Sequence, residues 1–142
     1  MNFAIVVSDF NQEITSRLLE GAQATLHKAG VARENVTVTH VPGAFEIPFA
    51  AKKMALTKKI SAIIALGCVI RGETIHFDVI CNTTALSLQQ ISLETGVPIT
   101  SGILMAENDE QALARSGGDI AGDTVVNRGS EAASAALQMV KI

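Results

Sequence analysis

A ten-residue apolar segment in the middle of the chain most limits the folds open to it. Residues 61 to 70 read SAIIALGCVI and contain no charged side chain. The segment is far shorter than the roughly 20 residues of a membrane-spanning helix, and a strand with one wet face would alternate polar and apolar residues. It is therefore predicted to be a parallel strand at the centre of a sheet, covered on both faces.

Strand-like and helix-like segments alternate on both sides of this segment. The other predicted strands are Phe3 to Ser8, Asn35 to Val41 and Val97 to Met105. The predicted helices run from Gln12 to Ala29, with Gly30 just past the end, from Pro48 to Thr57, from about His76 to Thr95, from Asn108 to Arg115, and from Gly129 and Ser130 to Val140, with Ser130 as the N-cap. This alternation predicts an α/β fold in which a four-stranded parallel sheet carries helices on both faces, as a single domain over residues 1–142.

Composition argues against several classes of protein. Eleven Lys and Arg against fourteen Asp and Glu give a net charge of −3, and there is no Trp or Tyr, so no nucleic acid partner is expected. The charged fraction of 18% lies below the usual value of about a quarter, which implies more apolar surface than a monomer hides. We therefore expect a homo-oligomer.

The sequence also lacks the signals of membrane, secreted and nucleotide-binding proteins. No apolar run is long enough for a membrane span, and Met1 to Phe3 carry no basic residue of a signal peptide, so a cytoplasmic protein without membrane contact is expected. Cys68 and Cys81 are expected to be reduced core thiols. The chain lacks metal-ligand clusters and glycine-rich nucleotide motifs, which argues against metal, nicotinamide and ATP chemistry.

The loop after the third strand, Arg71 to His76, is the richest in chemical groups. Gly72 permits close backbone approach, Thr74 offers a hydroxyl, and free amides at the start of the following helix can hold a phosphate or carboxylate. His76 can give and take a proton near neutral pH. Its alternative role is a histidine that packs at a helix start, whereas His27 and His40 are expected to be structural.

Other loops carry candidates with two possible roles each. Phe10 is either a buried aromatic residue or a platform for a flat heterocycle. Glu46 either accepts hydrogen bonds from ligand hydroxyls or serves the helix dipole, and Arg115 either grips a phosphate or caps helix carbonyls. The stretch from Gly117 to Gly129 is either a passive linker or a functional loop.

At these loops the sequence closely resembles the lumazine synthase family, along nearly the whole chain. The matching segments are Phe10-Asn11, VPGAFEIP from Val41 to Pro48, ALGCVIRGETIHFD from Ala65 to Asp78, and LETGVPI from Leu93 to Ile99. The resemblance implies a flavodoxin-like three-layer sandwich with a four-stranded parallel sheet. It also implies a transferase that condenses 5-amino-6-ribitylamino-pyrimidinedione with 3,4-dihydroxy-2-butanone 4-phosphate, giving 6,7-dimethyl-8-ribityllumazine, phosphate and water, without cofactor or metal.

The resemblance also implies roles for individual residues. The catalytic residues would be His76, which relays protons, and Arg115, which comes from the adjacent subunit and holds the phosphate. The substrate-binding residues would be Phe10, which stacks on the pyrimidine, and Asn11 beside it; Ala44, Phe45 and Glu46 at the ribityl chain; Val69 and Ile70 at the ring; and Gly72, Glu73 and Thr74 at the phosphate.

Departures from the family pattern concern two further substrate-binding positions and the size of the assembly. Ser101 stands where many members have an aromatic residue near the ligand ring, and Arg128 replaces a lysine. The stretch from Gly117 to Gly129 looks longer than in capsid-forming relatives, and the chain begins at the first core strand. A pentamer, or a decamer of two stacked pentamers, is therefore expected, with its active site between neighbouring subunits.

Two alternatives stay open. One is a flavodoxin-like module that binds a flavin or nucleotide without turnover, although the carboxylates of Asp9 and Glu13 in the first loop would repel a phosphate. The other is an assembly protein that has lost catalysis. The intact set of His76, Arg115 and Glu46 argues against the second, while Ser101 leaves it open.

Overall fold

A computed structural model describes residues 1–117 and 126–142. Its strands are β1 (Phe3–Ser8), β2 (Val36–Val41), β3 (Ala62–Ile70) and β4 (Ile99–Ala106), and its helices are α1 (Gln12–Lys28), α2 (Ile47–Leu56), α3 (His76–Thr95), α4 (Asp109–Arg115) and α5 (Arg128–Met139). Short 3-10 turns occupy Arg33–Asn35 and Ala44–Glu46. The structure confirms the predicted flavodoxin-like α/β sandwich.

The four strands are all parallel and lie in the order β2-β1-β3-β4. β3 is an inner strand, and its first seven residues are buried, as its apolar sequence predicts. The β1 ladder reaches β3 only as far as the pair Val7 and Leu66, whereas β4 pairs with β3 up to Ile70. The last residues of β3 therefore extend beyond the β1 ladder, toward the loop that follows β1.

Two helical layers cover the sheet. α1 and α5, with α4 beside them, pack on the face formed by Ile5, Ile64 and Leu104. α2 and α3 pack on the other face, which includes Val6, Ile63 and Ile103. We call these the α1/α5 layer and the α2/α3 layer. Cys68 and Cys81 are buried free thiols, as predicted.

Most helix ends lie within a residue or two of their predicted positions. α1 ends as expected before Gly30, which adopts a positive φ of 90°, and Pro48 lies in the first turn of α2. The prediction that Ser130 caps the last helix is wrong. The cap is Asn127, whose side-chain oxygen accepts a hydrogen bond from the Ser130 backbone N–H at 3.0 Å, so the helix starts at Arg128.

The Gly117 to Gly129 stretch can be assessed only at its ends, because residues 118 to 125 lie outside the described residues. Gly117 donates its backbone N–H to the Val126 carbonyl at 2.7 Å, and Ser116 forms an antiparallel bridge with Asn127. The two ends therefore meet. Among the described residues, no helix combines the length and the apolar character that a bilayer span requires.

Candidate active site

The loops after β1, β2 and β3 meet at one edge of the sheet because the strands are parallel and adjacent. They follow Ser8, Val41 and Ile70, and they carry most of the predicted site residues. In open parallel sheets, ligands bind beyond the carboxyl ends of the strands. We call this set of loops, residues 9 to 11, 42 to 46 and 69 to 76, the strand-end group.

The first of these loops, which carries Phe10, is hydrogen-bonded on one side to the end of β2 and on the other to β3, the two strands that flank β1. Its backbone N–H donates to the Pro42 carbonyl at 2.9 Å, and the Asp9 N–H donates to the Val41 carbonyl at 2.8 Å. On the other side, the Asn11 amide donates to the Cys68 carbonyl at 3.0 Å. The side chain of Phe10 is nevertheless 70% exposed. Phe10 is thus no core residue in this protomer, and its ring is free to stack.

The second loop forms a tight turn in which Glu46 has a structural partner. One carboxylate oxygen, Oε1, accepts the Gly43 backbone N–H at 3.0 Å, and the Glu46 N–H donates back to the Gly43 carbonyl at 3.1 Å. Ala44 is buried, whereas Phe45 is 59% exposed. The carboxylate therefore braces the turn with one oxygen, and a carboxylate has capacity for further donors.

The third loop leads from the inner strand β3 to α3. Val69 and Ile70 are half-buried and pair with Met105 and Ala106 of β4. Residues 71 to 76 are exposed, and the Thr74 hydroxyl accepts the backbone N–H of His76 at 3.3 Å. His76 is the first residue of the 20-residue helix α3. Glycine, hydroxyl and imidazole thus stand together at the amino end of a long helix, where the dipole favours an anion.

Arg71 at the start of this loop has a role that the sequence analysis missed. Its Nε donates to Glu107 at 2.7 Å, its two terminal nitrogens donate to Asp78 at 3.3 Å each, and the guanidinium lies 4.4 Å from the centroid of the Phe77 ring. Hydrogen bonds to Asp78 first, and to Glu107 next, raise the pKa of Arg71 above its ordinary value. Arg71 thereby joins the ends of β3 and β4 to the first turn of α3.

The sequence contains only a weak signal for this network. An arginine directly after a central strand and an acid seven residues later on a helix start are visible in the sequence. Glu107, however, is 36 residues away and becomes a neighbour only through the β3–β4 pairing.

Ser101 and Arg128 lie away from the strand-end group, on β4 and at the start of α5, and Arg115 is the last residue of α4. Ser101 is exposed on β4 opposite Ala65, five residues before the strand ends, or roughly 16 Å at about 3.3 Å per residue. The Arg128 carbonyl lies 3.0 Å from where a Cβ on Gly102 would be. Arg115 donates to the Gln111 carbonyl at 3.2 Å, which is the capping role considered for it.

Asn127 holds this second set together. Its amide donates to the carbonyls of Ser116 and Arg17, both at 3.1 Å, while its oxygen caps α5. Ser116 follows Arg115 and Asn127 precedes Arg128, so both arginines are anchored through one side chain. Arg128 also donates to Glu131 at 2.7 Å. We call Ser101, Arg115 and Arg128 the β4-edge group.

Cavities and metal ligands add little to this picture. A cavity of about 850 Å³, lined by residues such as His27, Gly30 and Val36, lies near the start of β2, away from the strand-end group. A smaller cavity of about 280 Å³ adjoins the strand-end group, beside Asn11 and Asp109. Within residues 1–117 and 126–142, no three His, Cys, Asp or Glu side chains converge as metal ligands. The strand-end group itself is an open surface with exposed aromatic rings.

One comparison with known families completes the description. A family model described as 6,7-dimethyl-8-ribityllumazine synthase matches residues 1–142, which is the whole chain. The match includes both the strand-end group and the β4-edge group.

Proposed function

The chain belongs to the 6,7-dimethyl-8-ribityllumazine synthase family, a transferase family of riboflavin biosynthesis, and we propose which substrates it joins and which residues do so. It condenses 5-amino-6-ribitylamino-pyrimidinedione with 3,4-dihydroxy-2-butanone 4-phosphate and releases phosphate and water. The observation that carries the proposal is that an exposed Phe10, the loop 72–74 and His76 all follow strands at the same end of the parallel sheet. Residues 1–142 act as one domain.

The pyrimidine substrate occupies the side of the cleft next to β1 and β2. Phe10 stacks on the ring, because an exposed aromatic side chain on an anchored loop offers a flat surface. The ribityl chain lies along Ala44, Phe45 and Glu46, where the carboxylate oxygen that does not brace Gly43 accepts hydroxyl hydrogen bonds. Asn11, whose amide binds the Cys68 carbonyl, fixes the loop, and Val69 and Ile70 contribute backbone groups.

The phosphate ester occupies the amino end of α3. Gly72 has open space around it, so the backbone can approach the phosphate closely, and Thr74 adds a hydroxyl. The charge of this loop works against the ester, however. Glu73 is acidic, and the charge of Arg71 is already matched by Asp78 and Glu107. A dianionic ligand therefore requires a further cation.

We assign that cation to Arg115 of an adjacent subunit. Within one protomer Ser101 and Arg128 lie far down β4 and at the start of α5, and Arg115 is bonded back to the Gln111 carbonyl of its own helix, whereas the strand-end group lies beyond the strand ends. When a site is formed between two copies of a chain, each copy carries the two halves of the site at different positions on its surface. Arg128 and Ser101 would then also face the neighbour's pyrimidine.

His76 handles the protons of the reaction. The amine of the pyrimidine adds to the ketone, and water leaves to form an imine. Phosphate is then eliminated, and the second nitrogen closes the ring with loss of water. Each step moves protons between nitrogen, carbon and oxygen, which an exposed imidazole at the loop end can donate and accept. Holding both substrates side by side supplies much of the remaining acceleration.

Exposed apolar stripes on the α2/α3 layer support an assembly. α3 exposes Val79, Leu86 and Leu93 at intervals of seven residues, and α2 exposes Phe49 and Leu56 at the same interval. Residues seven apart lie on one face of a helix. Surfaces of this kind mark protein contacts. We propose that these stripes are covered in a pentamer, or in a decamer of two pentamers.

A fluorescence assay for the lumazine product tests the assignment. We expect the wild-type protein with both substrates to produce the signal, Arg115→Ala to lose most of it, and His76→Ala to lose part, because substrate positioning survives there. Matched controls are Arg33→Ala and His27→Ala, which remove the same groups far from the site and should leave the rate unchanged. Equal activity in all variants would refute the site, and a yellow protein without turnover would favour a flavin-binding module.

Mixing of variants tests the shared site. Phe10→Ala and Arg115→Ala damage opposite halves. Co-refolded subunits of the two variants should therefore regain activity at interfaces where two intact halves meet. Absence of any recovery, with mixed oligomers formed, would place all the residues in one protomer.

A further inference from the structure

Asp9 and His40 form a side-chain pair at the ends of β1 and β2. The His40 Nδ1 donates to the Asp9 carboxylate at 2.8 Å, and both side chains are about half exposed. The two residues are 31 positions apart and meet because Val7 pairs with His40 in the β1–β2 ladder. From its place in the second predicted strand, His40 is expected to have only a structural role.

The pair lies at the base of the loop that carries Phe10. Asp9 is the residue before Phe10, and His40 is two residues before Pro42, whose carbonyl accepts the Phe10 N–H. On the far side of Phe10, Asn11 adopts a left-handed conformation with φ 61° and binds the Cys68 carbonyl. Phe10 is therefore fastened by side chains on both sides, to β2 through Asp9 and to β3 through Asn11.

We propose that Asp9 and His40 are a positioning pair that fixes the orientation of the Phe10 ring for the pyrimidine substrate, an inference that rests on the function proposed above. A stacking surface loses affinity when its ring samples several orientations, because binding must then freeze that motion. The backbone bonds of Asp9 and Phe10 set the path of the chain, and the side-chain pair restrains its twist. Neither residue touches the reacting atoms.

An Asp–His pair can also serve in catalysis, where the carboxylate orients the histidine as a general base. The positioning role and the acid–base role predict that different variants are impaired. Asparagine places an N–H donor close to where the Nδ1 of histidine stands, but it transfers no protons near neutral pH. His40→Asn therefore keeps a positioning role and abolishes an acid–base role. Asp9→Asn likewise keeps an oxygen acceptor, whereas Asp9→Ala and His40→Ala remove the bond altogether.

Steady-state kinetics with each substrate varied in turn is the experiment. For Asp9→Ala and His40→Ala we expect the KM for the pyrimidine substrate to rise about threefold to tenfold, the effect of one net hydrogen bond. The kcat and the KM for the phosphate ester should stay at wild-type values, and Asp9→Asn and His40→Asn should lie close to wild type. Glu20→Ala, which removes an exposed carboxylate from α1, is the control and should change nothing.

Other results would overturn the inference. Unchanged KM in both alanine variants, an equal rise in both KM values, or a His40→Asn variant as impaired as His40→Ala would each contradict positioning. Titration of the lumazine product by its fluorescence, with the same ordering of Kd values expected, keeps the test independent of turnover. If the Kd values of the variants follow this order but the wild-type protein forms no lumazine from the two substrates, the proposed function is refuted and the positioning role of the pair still holds.

Discussion

The α1/α5 layer and the α2/α3 layer cover opposite faces of the same sheet, but their packing and outer surfaces differ. In the first, small residues bring the two helices together: a Cβ on Gly129 of α5 would collide with the carbonyl oxygen of Leu18 in α1, and one on Gly21 of α1 with the side chain of Asn127, the cap of α5. In the second, large apolar residues face outward, with Phe49 73% and Leu93 83% exposed. In the described part of the chain, α1 and α5 expose one large apolar side chain, that of Met139.

This difference teaches that burial is finished in one layer and unfinished in the other. Among the described residues, α1 and α5 turn their polar sides outward and leave no apolar stripe for a second copy to cover. The α2/α3 layer leaves stripes that a second copy would cover in the proposed assembly, and its energetics would then depend partly on association. Substitutions in the two layers should therefore change different properties, namely folding of the protomer and association of protomers.

The largest effect is expected from Gly129→Ala in the finished layer. The added methyl group meets main-chain atoms of Leu18, which cannot rotate away, so the two helices α1 and α5 must separate. We expect the free energy of unfolding to fall by about 3 kcal/mol or more, measured from urea denaturation. Gly72→Ala is the matched control, since a Cβ there has open space. Similar stability of the two variants would contradict the tight packing assigned to this layer.

The next largest effect is expected from Leu86→Glu in the unfinished layer. Leu86 is 70% exposed in the protomer and lies in the middle of the α3 stripe. A charge there should dissociate the oligomer while the circular dichroism of the protomer stays unchanged, and catalysis should fall with the shared site. Sizing chromatography with multi-angle scattering measures the mass. Ala24→Glu, which adds the same charge to the exposed face of α1, should remain assembled.

A smaller effect is expected where the α2/α3 layer is held by polar contacts. Arg71→Lys keeps the charge but loses the two-pronged bond to Asp78 and the contact with Phe77. Loop 72–76 should then be less ordered. We expect the KM for the phosphate ester to rise about threefold to tenfold with little loss of stability, because the network is exposed. Arg33→Lys is the control, and an unchanged KM would show that the loop needs no such anchor.

The last effect concerns the two thiols, Cys68 on β3 under the α1/α5 layer and Cys81 on α3. Burial, and then the charge of Asp109, raise the pKa of Cys68 from its ordinary value of 9.0 to about 11, and burial followed by Asp78 also raises the pKa of Cys81. Between pH 9 and 11 the unfolded chain has lost the Cys68 proton and the folded chain has kept it. The free energy of unfolding should therefore decrease as the pH rises through this range.

Urea midpoints at pH 8 and pH 10.5 measure this loss. Cys68→Ala should show a smaller decrease between the two values than the wild-type protein, and Cys81→Ala a slope closer to wild type. An identical slope in all three proteins would contradict the buried environment of Cys68.

Sequence reasoning recovered the order and type of the elements because local patterns determine them. The apolar run 61–70 contains β3, and Gly30 marks the end of α1 where a positive φ is needed. The cap of α5 was assigned wrongly, since Asn127 and Ser130 are both good capping residues and only the packing against Arg17 and Ser116 selects the first. Contacts decided by strand order, such as Arg71 with Glu107 and Asp9 with His40, leave no local pattern in the chain.

The candidate site was only partly accessible for the same reason. Exposed loop residues such as Phe10 and His76 could be named because they follow strands, and their polar neighbours are unlike a core. The positions of Arg115 and Arg128 relative to Ser101 depend on the side chain of Asn127 and the closeness of α5 to β4. Those are packing features that only the folded chain displays.

The bridge between Ser116 and Asn127 has a consequence for how this protein can vary. Ser116 and Asn127 are in contact at the two ends of one segment. The free-energy cost of closing that segment therefore grows only slowly with its length, by about 0.6 kcal/mol for each doubling. Peptides inserted there should leave both flanking arginines in register, which makes this point a suitable place to insert a foreign sequence.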